Sequence, residues 1–218
     1  MQEIFQRGKI LSTASEAVSR RGRPRSDEAH QAILKAALEE VFAVGFRALG
    51  IDVIAAKAGV GKATIYRRWP NKAAVVMDAF LAEVGPGTGF PRAPRAVDRI
   101  RMQMEAQSKA FRSKYGVLIK SLLGEAQFDP ELAEAFRERW IMPRRRMARE
   151  VLEEAIQQGD LREDIDFDAA IDMLYAPIYY RLQIGTGPIS EQYVRGIFEQ
   201  VMSGLGRKEK TATARLKR

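Results

Sequence analysis

Apolar residues recur at spacings of three and four along most of the chain, whereas the strict alternation typical of strands is nowhere sustained. The first such stripe runs from Ile33 to Phe42 and closes at Gly45. Ser26 precedes it and is followed by two acidic residues, so we expect Ser26 to cap the N-terminus of a first helix. The pattern predicts an all-α fold.

Two short helices, at about 51–58 and 62–68, are predicted on either side of a glycine-containing turn, 59–61. A fourth helix is predicted over about 72–84. Helices as short as the second and third are not stable alone, so they must pack on the first. The Gly- and Pro-rich run 85–91 predicts a domain boundary.

Beyond residue 94 the pattern predicts helix after helix, at about 95–114, 116–127, 131–158, 167–184 and 190–205. Pro143 and Pro177 lie inside two of them, and each is expected to kink or restart its helix. We therefore expect four parts: a flexible basic arm (1–25), a small helical domain (26–84), a larger helical domain (95–206) and a basic tail (207–218).

Positive charge is concentrated at the two ends of the chain. Residues 1–80 hold 13 Lys and Arg against 8 Asp and Glu, residues 81–206 hold 17 against 19, and the tail holds 6 against 1. A basic head on a nearly neutral body is typical of a phosphate-binding module attached to a separate functional domain. A solvated basic surface is the alternative interpretation.

Other classes of protein are disfavoured by what the sequence lacks. It has no cysteine and no apolar run near the roughly 18 residues of a membrane span, so we expect a cytoplasmic protein without a membrane partner. The single histidine, His30, has no partner at metal-ligand spacing and is expected on the solvated side of the first helix. No catalytic constellation is visible, so we expect no enzymatic activity, no metal and no cofactor.

A helix-turn-helix requires a small residue where its helices meet, a residue that tolerates positive φ in the turn, and an apolar anchor in the second helix. Ala55, Gly59 and Ile65 meet these demands in order. Ile54 and Val60 are expected to complete a miniature core.

Residues 45–72 resemble the DNA-binding segment of TetR-family transcriptional regulators. The most specific features are the triplet Thr64-Ile65-Tyr66, an aromatic residue at Trp69 and a lysine, Lys72, that opens the fourth helix. The resemblance implies a three-helix helix-turn-helix domain followed by a larger C-terminal helical domain for ligand binding and dimerisation.

The resemblance also assigns roles on the DNA. Residues 62–68 would form the recognition helix in the major groove. Tyr66 and Lys72 match phosphate contacts, and Thr64 matches a contact to phosphate or to a thymine methyl group. The positions expected to read bases are Lys62, Ala63 and Arg67, with Arg68 open to either role. The arm residues Arg23 and Arg25 are expected in the minor groove, and a plain basic terminus is the alternative.

The sequence departs from the family at three positions. Gly50 and Gly61 stand where hydroxyl residues usually cap the two helices of the motif, which removes two possible phosphate ligands. Asp52 is expected to be a surface carboxylate, although it could also orient Arg67 or accept from a cytosine amino group.

For the larger domain, the resemblance implies a pocket for a small effector of unknown identity. The candidate lining residues are Met102, Phe111, Trp140, Met147, Met173, Tyr179 and Arg181. Ordinary core packing is the alternative for the apolar members, and a surface salt bridge is the alternative for Arg181.

The last two predicted helices carry more apolar surface than one body can cover, and the family pairs these helices in a twofold dimer. The expected interface residues are Ile171, Leu174, Ile178, Val194, Ile197, Phe198 and Val201. The sequence thus predicts a repressor that binds a palindromic double-stranded operator as a homodimer and is released by a small molecule. A sequence-nonspecific architectural DNA-binding protein is the alternative function.

Overall fold

The computed structural model describes residues 23–206, with side chains from Ser26 onward, and this part of the chain is entirely helical apart from loops and one isolated bridge between Leu161 and Gly206. The helices are α1 (Arg23–Ala48), α2 (Ile51–Ala58), α3 (Lys62–Tyr66), α4 (Lys72–Val84), α5 (Ala96–Phe111), α6 (Lys114–Glu125), α7 (Pro130–Phe136), α8 (Met142–Gln157), α9 (Phe167–Ile184) and α10 (Glu191–Leu205), with a π-helical segment, Arg137–Ile141, between α7 and α8. The predicted all-α fold is confirmed.

The N-terminal helices α1 to α4 pack around the stripe predicted on α1, where Ile33, Ala37 and Val41 are buried. The backbone of α1 breaks at Gly45, whose φ of 78° lies in the left-handed region, so the predicted end of the stripe is correct. The predicted cap at Ser26 is wrong, because α1 already begins at Arg23.

The remaining helices, α5 to α10, form the larger body. Its predicted helix 95–114 ends early, at Phe111, because Ser113 caps the next helix by accepting a hydrogen bond from the backbone N–H of Tyr115. The predicted interruption at Pro143 is observed, since Pro143 follows the π-helical segment and lies in the first turn of α8. By contrast, α9 continues through Pro177 and does not restart there.

Helix α4 joins the N-terminal bundle to the body. Phe80 packs against Trp140 of the π-helical segment, with ring centroids 4.9 Å apart, and both side chains are fully buried. The hydroxyl of Tyr115 on α6 donates to Glu83 at 2.9 Å. One continuous hydrophobic core therefore runs through both parts. Within residues 23–206 no helix is long and apolar enough to cross a membrane.

Candidate functional site

The turn between α2 and α3 has the geometry that the sequence predicts. Gly59 adopts φ 66° and ψ 32°, and the backbone N–H of Val60 reaches back to the carbonyl of Ala55 at 3.0 Å. This is a left-handed helix cap, a conformation that glycine adopts without a Cβ clash. Ile54 and Ile65 are fully buried on either side of the turn, so the two short helices are held in a helix-turn-helix arrangement.

The second helix of the motif, α3, turns a basic and aromatic face to solvent. Lys62, Ala63, Tyr66 and Arg67 are exposed, whereas Thr64 is half-buried. Tyr66 leaves 54% of its surface uncovered, so its ring and hydroxyl are accessible from outside the domain. A short helix that begins at a lysine and ends at a tyrosine, with an arginine at its C-cap, presents groups that can contact phosphates and base edges.

Lys72 has a different environment from the one predicted. Its ammonium group donates to the backbone carbonyls of Phe46 at 3.0 Å, Leu49 at 3.1 Å and Arg47 at 3.3 Å, and it lies 4.6 Å from the centre of the Phe46 ring. An ammonium has three N–H donors, so all of them are used inside the domain. We assign Lys72 to the support of the α1–α2 junction rather than to phosphate.

Arg68 is also held by the protein. Its Nη2 donates to the backbone carbonyl of Ser26 at 2.7 Å and to the Ser26 hydroxyl at 2.6 Å, which ties the turn after α3 to the first turns of α1. Ser26 therefore accepts hydrogen bonds from Arg68 and does not cap α1. The predicted contacts of the Arg23 and Arg25 side chains with DNA lie outside the described residues.

Asp52 is exposed in the first turn of α2, where a carboxylate faces the positive end of the helix dipole. Its Oδ1 lies where a Cβ on Gly50 would project, so a larger capping residue at Gly50 would displace the carboxylate. No hydrogen bond joins Asp52 to Arg67 among the described residues, which agrees with a surface carboxylate.

Trp69, which follows α3, is almost completely buried and has two specific partners. The imidazole of His30 stacks on its indole, with centroids 5.1 Å apart and planes 14° from parallel. The indole N–H donates to Asp78 Oδ2 at 2.7 Å. The expectation that His30 is a solvated surface residue is therefore wrong, because this half-buried side chain packs on Trp69 and joins the end of the recognition segment to α1.

The body contains a cavity of about 260 Å³ between α5, α8 and α9. Phe90, Ile141, Ile171 and Ala176 supply much of its apolar wall. Its polar lining residues are Gln103, Gln107, Arg144, Arg145, Asp172, Tyr175 and Tyr179. Largely apolar cavities with a few polar groups are typical of small-molecule sites.

Of the seven residues predicted to line a pocket, only Tyr179 lines this cavity. Two lie directly behind it: Trp140 donates its indole N–H to the Tyr179 hydroxyl at 2.6 Å, and Phe111 packs edge-on against the Tyr179 ring. The sequence pattern located the neighbourhood, but it did not separate lining residues from supporting ones.

The other four pocket predictions are wrong. Met102, Met147 and Met173 are each more than one-third exposed on the outer surface. Arg181 stacks over the Tyr193 ring at 3.3 Å and donates to the carbonyl of Pro188, so it fixes the α9–α10 loop.

Sequence reasoning missed the cavity's most distinctive residue, Arg144. Its guanidinium lies 3.3 Å from the centre of the Trp140 ring, and its Nη2 donates to Thr88 Oγ1 at 2.8 Å. Burial lowers the pKa of Arg144 to about 10, because the charged form loses hydration. Three consecutive arginines stand at 144–146, and only tertiary packing shows that the first one points inward.

The predicted dimer residues separate into two groups. Ile171, Leu174, Ile178 and Val194 are buried within their own chain, so their assignment to an interface with a second chain is wrong. Ile197, Phe198 and Val201 are half-buried.

A groove of about 820 Å³ runs between α9 and α10, and Ile197 and Val201 line it. Its walls also include Met173, Pro177 and Gly196. Tyr180 and Ile184, farther along α9, are more than half exposed. The outer face of α9 and α10 is therefore apolar without internal cover.

Comparison with known proteins agrees with these features. The profile described as "Bacterial regulatory proteins, tetR family" matches residues 33–79, and the profile described as "Tetracyclin repressor-like, C-terminal domain" matches residues 94–201. Together these matches extend over both the helix-turn-helix and the body.

Individual relatives of the chain are also transcriptional regulators. The HTH-type transcriptional regulator YdeS of Bacillus subtilis is 41% identical over 187 residues, which is 86% of this chain and 94% of YdeS. The DNA-binding transcriptional repressor TetR of Mycobacteroides abscessus is 28% identical over 184 residues, 82% of this chain and 94% of that protein. The crystal structure of the TetR family transcription regulator SCO0332 has a TM-score of 0.71 at 29% identity, and the match covers 83% of this chain and all of that chain. These matches and the helix-turn-helix geometry show that the chain is a DNA-binding transcriptional regulator and belongs to the TetR family.

Proposed function

We propose that this regulator is a repressor that binds a palindromic operator as a homodimer and leaves it when a small molecule enters the body. The observation that carries the proposal is the separation of two features. One is an exposed basic face, here called the reading face, formed by Lys62, Ala63, Tyr66 and Arg67; the other is the cavity in the body. A single helix, α4, begins beside the reading face and ends beside that cavity.

On the DNA, Lys62, Ala63 and Arg67 would face base edges, and Tyr66 and Thr64 would hold the phosphate backbone. Lysine and arginine side chains reach guanine O6 and N7, and a tyrosine hydroxyl donates to phosphate without reading sequence. The arm residues Arg23 and Arg25 are proposed to add minor-groove contacts.

The partner on the α9–α10 face is proposed to be a second copy of this chain. The groove is apolar, and Gly196 and Gly204 on α10 have no atom within 4 Å of the position of an added Cβ. Glycines on a helix face allow another helix to approach closely. A twofold contact here would place two recognition helices about 34–36 Å apart, one turn of the double helix, or somewhat more.

Release would proceed through α4. Thr88, just beyond α4, is buried, donates to the carbonyl of Val84 at 2.9 Å and accepts from Arg144 in the cavity wall. Near the middle of α4, Asp78 contacts both Trp69 and Arg139. A shift of the cavity wall would therefore move α4. In the dimer, this movement would change the distance between the two N-terminal domains (α1–α4), here called the reading heads.

The test has two parts. Selection on random DNA should enrich a palindrome with about 10³-fold or greater preference over bulk DNA, whereas an architectural protein would show little preference and a steep loss of affinity with salt. Calorimetric titration of an effector with and without operator should then show that operator weakens effector binding by the same factor by which the effector weakens operator binding, because linkage is reciprocal. Equal effector affinities in the two titrations would contradict effector control.

A further inference from the structure

Among the side chains of residues 26–206, no carboxylate forms an ion pair with Arg144. Its described contacts are the hydroxyl of Thr88, the carbonyl of Trp140 at 3.4 Å and the face of the Trp140 ring. Its Nε is buried and has no hydrogen-bond partner among the described residues. Buried charges are normally paired, because a lone charge in a poorly hydrated site is costly. This arginine therefore needs an explanation.

The acidic group nearest the cavity is already neutralised. Asp172, which lines the cavity, forms an ion pair with Arg145, and the same guanidinium contacts Asp168 at 2.7 Å. One arginine thus serves two carboxylates on α9, and neither pairs with Arg144.

The tyrosines beside Arg144 do not supply negative charge either. Burial raises the pKa of both Tyr175 and Tyr179, so both hydroxyls stay protonated. The Tyr175 hydroxyl donates to Gln103 at 2.7 Å, and Gln103 in turn donates to the carbonyl of Thr88 at 3.0 Å. These neutral groups orient the wall and leave the positive charge of Arg144 in place.

We infer that the cavity is an anion site, in which Arg144 pairs with the carboxylate of a small organic acid whose apolar part lies against Phe90, Ile141 and Ile171. This inference deepens the proposed function, because it names the chemical class of the effector. A guanidinium offers parallel N–H donors that match the two oxygens of a carboxylate, and such charge-assisted bonds are the strong ones.

The size and lining of the cavity restrict the acid. A volume of about 260 Å³ lies just below the usual range of roughly 300–1,000 Å³ for ligand pockets, so the ligand is compact. The wall is mainly apolar, which favours an aromatic or short aliphatic acid with one charge. A cation or a polyanion would leave charges unpaired there.

Binding also has a route to α4. Because Nη2 of Arg144 donates to Thr88 Oγ1, an anion that draws the guanidinium toward the cavity weakens the contact that holds the end of α4. The hydrogen bond between Arg144 and Thr88 is therefore the proposed link between ligand binding and release from the operator.

The experiment uses the full chain without DNA and three matched pairs of probes: benzoate with benzamide, phenylacetate with phenylacetamide, and octanoate with octanamide. Affinities are measured by calorimetry and by quenching of tryptophan fluorescence, since Trp140 lies under Arg144. We expect at least one acid to bind at least about tenfold more tightly than its amide, equivalent to about 1.4 kcal/mol.

The decisive variant is Arg144→Met, which keeps a long apolar side chain and removes the charge. It should fold and melt at or above the wild-type temperature, because an unpaired, partly buried charge is lost. It should also lose the preference for acid over amide. The control Arg146→Met, an exposed arginine on the same helix, should keep that preference.

Three outcomes would overturn the inference: amides binding as well as acids, an acid preference that survives Arg144→Met, or no acid binding at millimolar concentration. Operator affinity is measured separately. An acid that binds through Arg144 without changing operator affinity would support the anion site and contradict effector control, so the two proposals fail independently.

Discussion

The indole N–H of Trp69 donates to Asp78 at 2.7 Å, and this bond ties the turn after the recognition helix to the middle of α4. The other oxygen of Asp78 accepts from Arg139 of the π-helical segment at 2.6 Å. One carboxylate therefore connects the reading head with the segment that supports the cavity.

Asp78→Asn should weaken this connection, because it keeps an acceptor for Trp69 and removes the charge opposite Arg139. Both charged side chains are about one-third exposed, so we expect a loss of about 1–2 kcal/mol in the free energy of unfolding, below the full value for a buried charged pair. Denaturant titration measures the loss. Glu153→Gln, which breaks an exposed pair with Arg149 on α8, should cost less than about 0.5 kcal/mol. Equal losses would contradict a special role for Asp78.

Changes on the exposed face of α3 should separate sequence reading from positioning. Lys62→Ala and Arg67→Ala should each relax preference at particular base pairs, by about 1–3 kcal/mol at those positions. Tyr66→Phe should weaken binding to all sequences alike. Lys109→Ala, which removes an exposed lysine of the body, is the control and should change neither. A uniform effect of the changes at Lys62, Tyr66 and Arg67 would show that the assigned roles are wrong.

Lys72→Met should destabilise the DNA-binding head rather than remove a phosphate contact. Three carbonyls at the α1–α2 junction would lose their donor, and we expect about 1–3 kcal/mol of lost stability. The slope of log affinity against log salt should stay at the wild-type value, whereas Lys62→Ala should lower it if that side chain also contacts phosphate. If the variant keeps wild-type stability and the slope of log affinity against log salt falls by about one, Lys72 contacts a phosphate instead.

Met173→Glu should dissociate the proposed homodimer, because it puts a charge in the groove between α9 and α10. Sedimentation velocity should show a shift toward monomer, with operator affinity falling in parallel. Met147→Glu changes a methionine of similar exposure on α8 and should leave the dimer intact. A wild-type chain that is monomeric at micromolar concentration would contradict the interface altogether.

The Arg145 guanidinium holds the pKa of Asp168 below its ordinary value of 3.8, through a hydrogen bond and through charge attraction. Because the folded pKa is the lower one, the stabilisation is complete above the ordinary pKa and disappears as the pH falls through the folded pKa. A carboxyl titration by NMR should show the lowered pKa in the wild type and its return toward 3.8 in Arg145→Gln. Arg162→Gln, at an arginine that contacts Asp164 instead, should have no effect on Asp168.

Local patterns were sufficient to predict the helix-turn-helix. The need for positive φ at Gly59 and for buried anchors at Ile54 and Ile65 follows from residues a few positions apart, and the structure confirms each. The apolar stripe of α1 could be predicted for the same reason.

The errors arose where a side chain meets a partner that is distant in sequence. Lys72 is held by carbonyls more than twenty residues earlier, and His30 stacks on Trp69, 39 positions later. Apolar periodicity on α9 also identifies a buried helix without saying which face meets its own chain. Leu174 and Met173 are neighbours in sequence, yet one is buried in the core and the other lines the outer groove.

The π-helical segment Arg137–Ile141 has a consequence for the register of the body. Its wider turns accommodate an extra residue relative to an α-helix, and each α-helical residue turns the chain by about 100°. Deleting one residue here would restore ordinary winding and leave α7 and α8 facing as they do now, whereas inserting a residue that the segment cannot absorb would rotate α8 by about that angle relative to α7 and carry Arg144 away from the cavity. Insertions here should therefore uncouple ligand binding from the reading head even where the helices still form, whereas a single deletion should be tolerated.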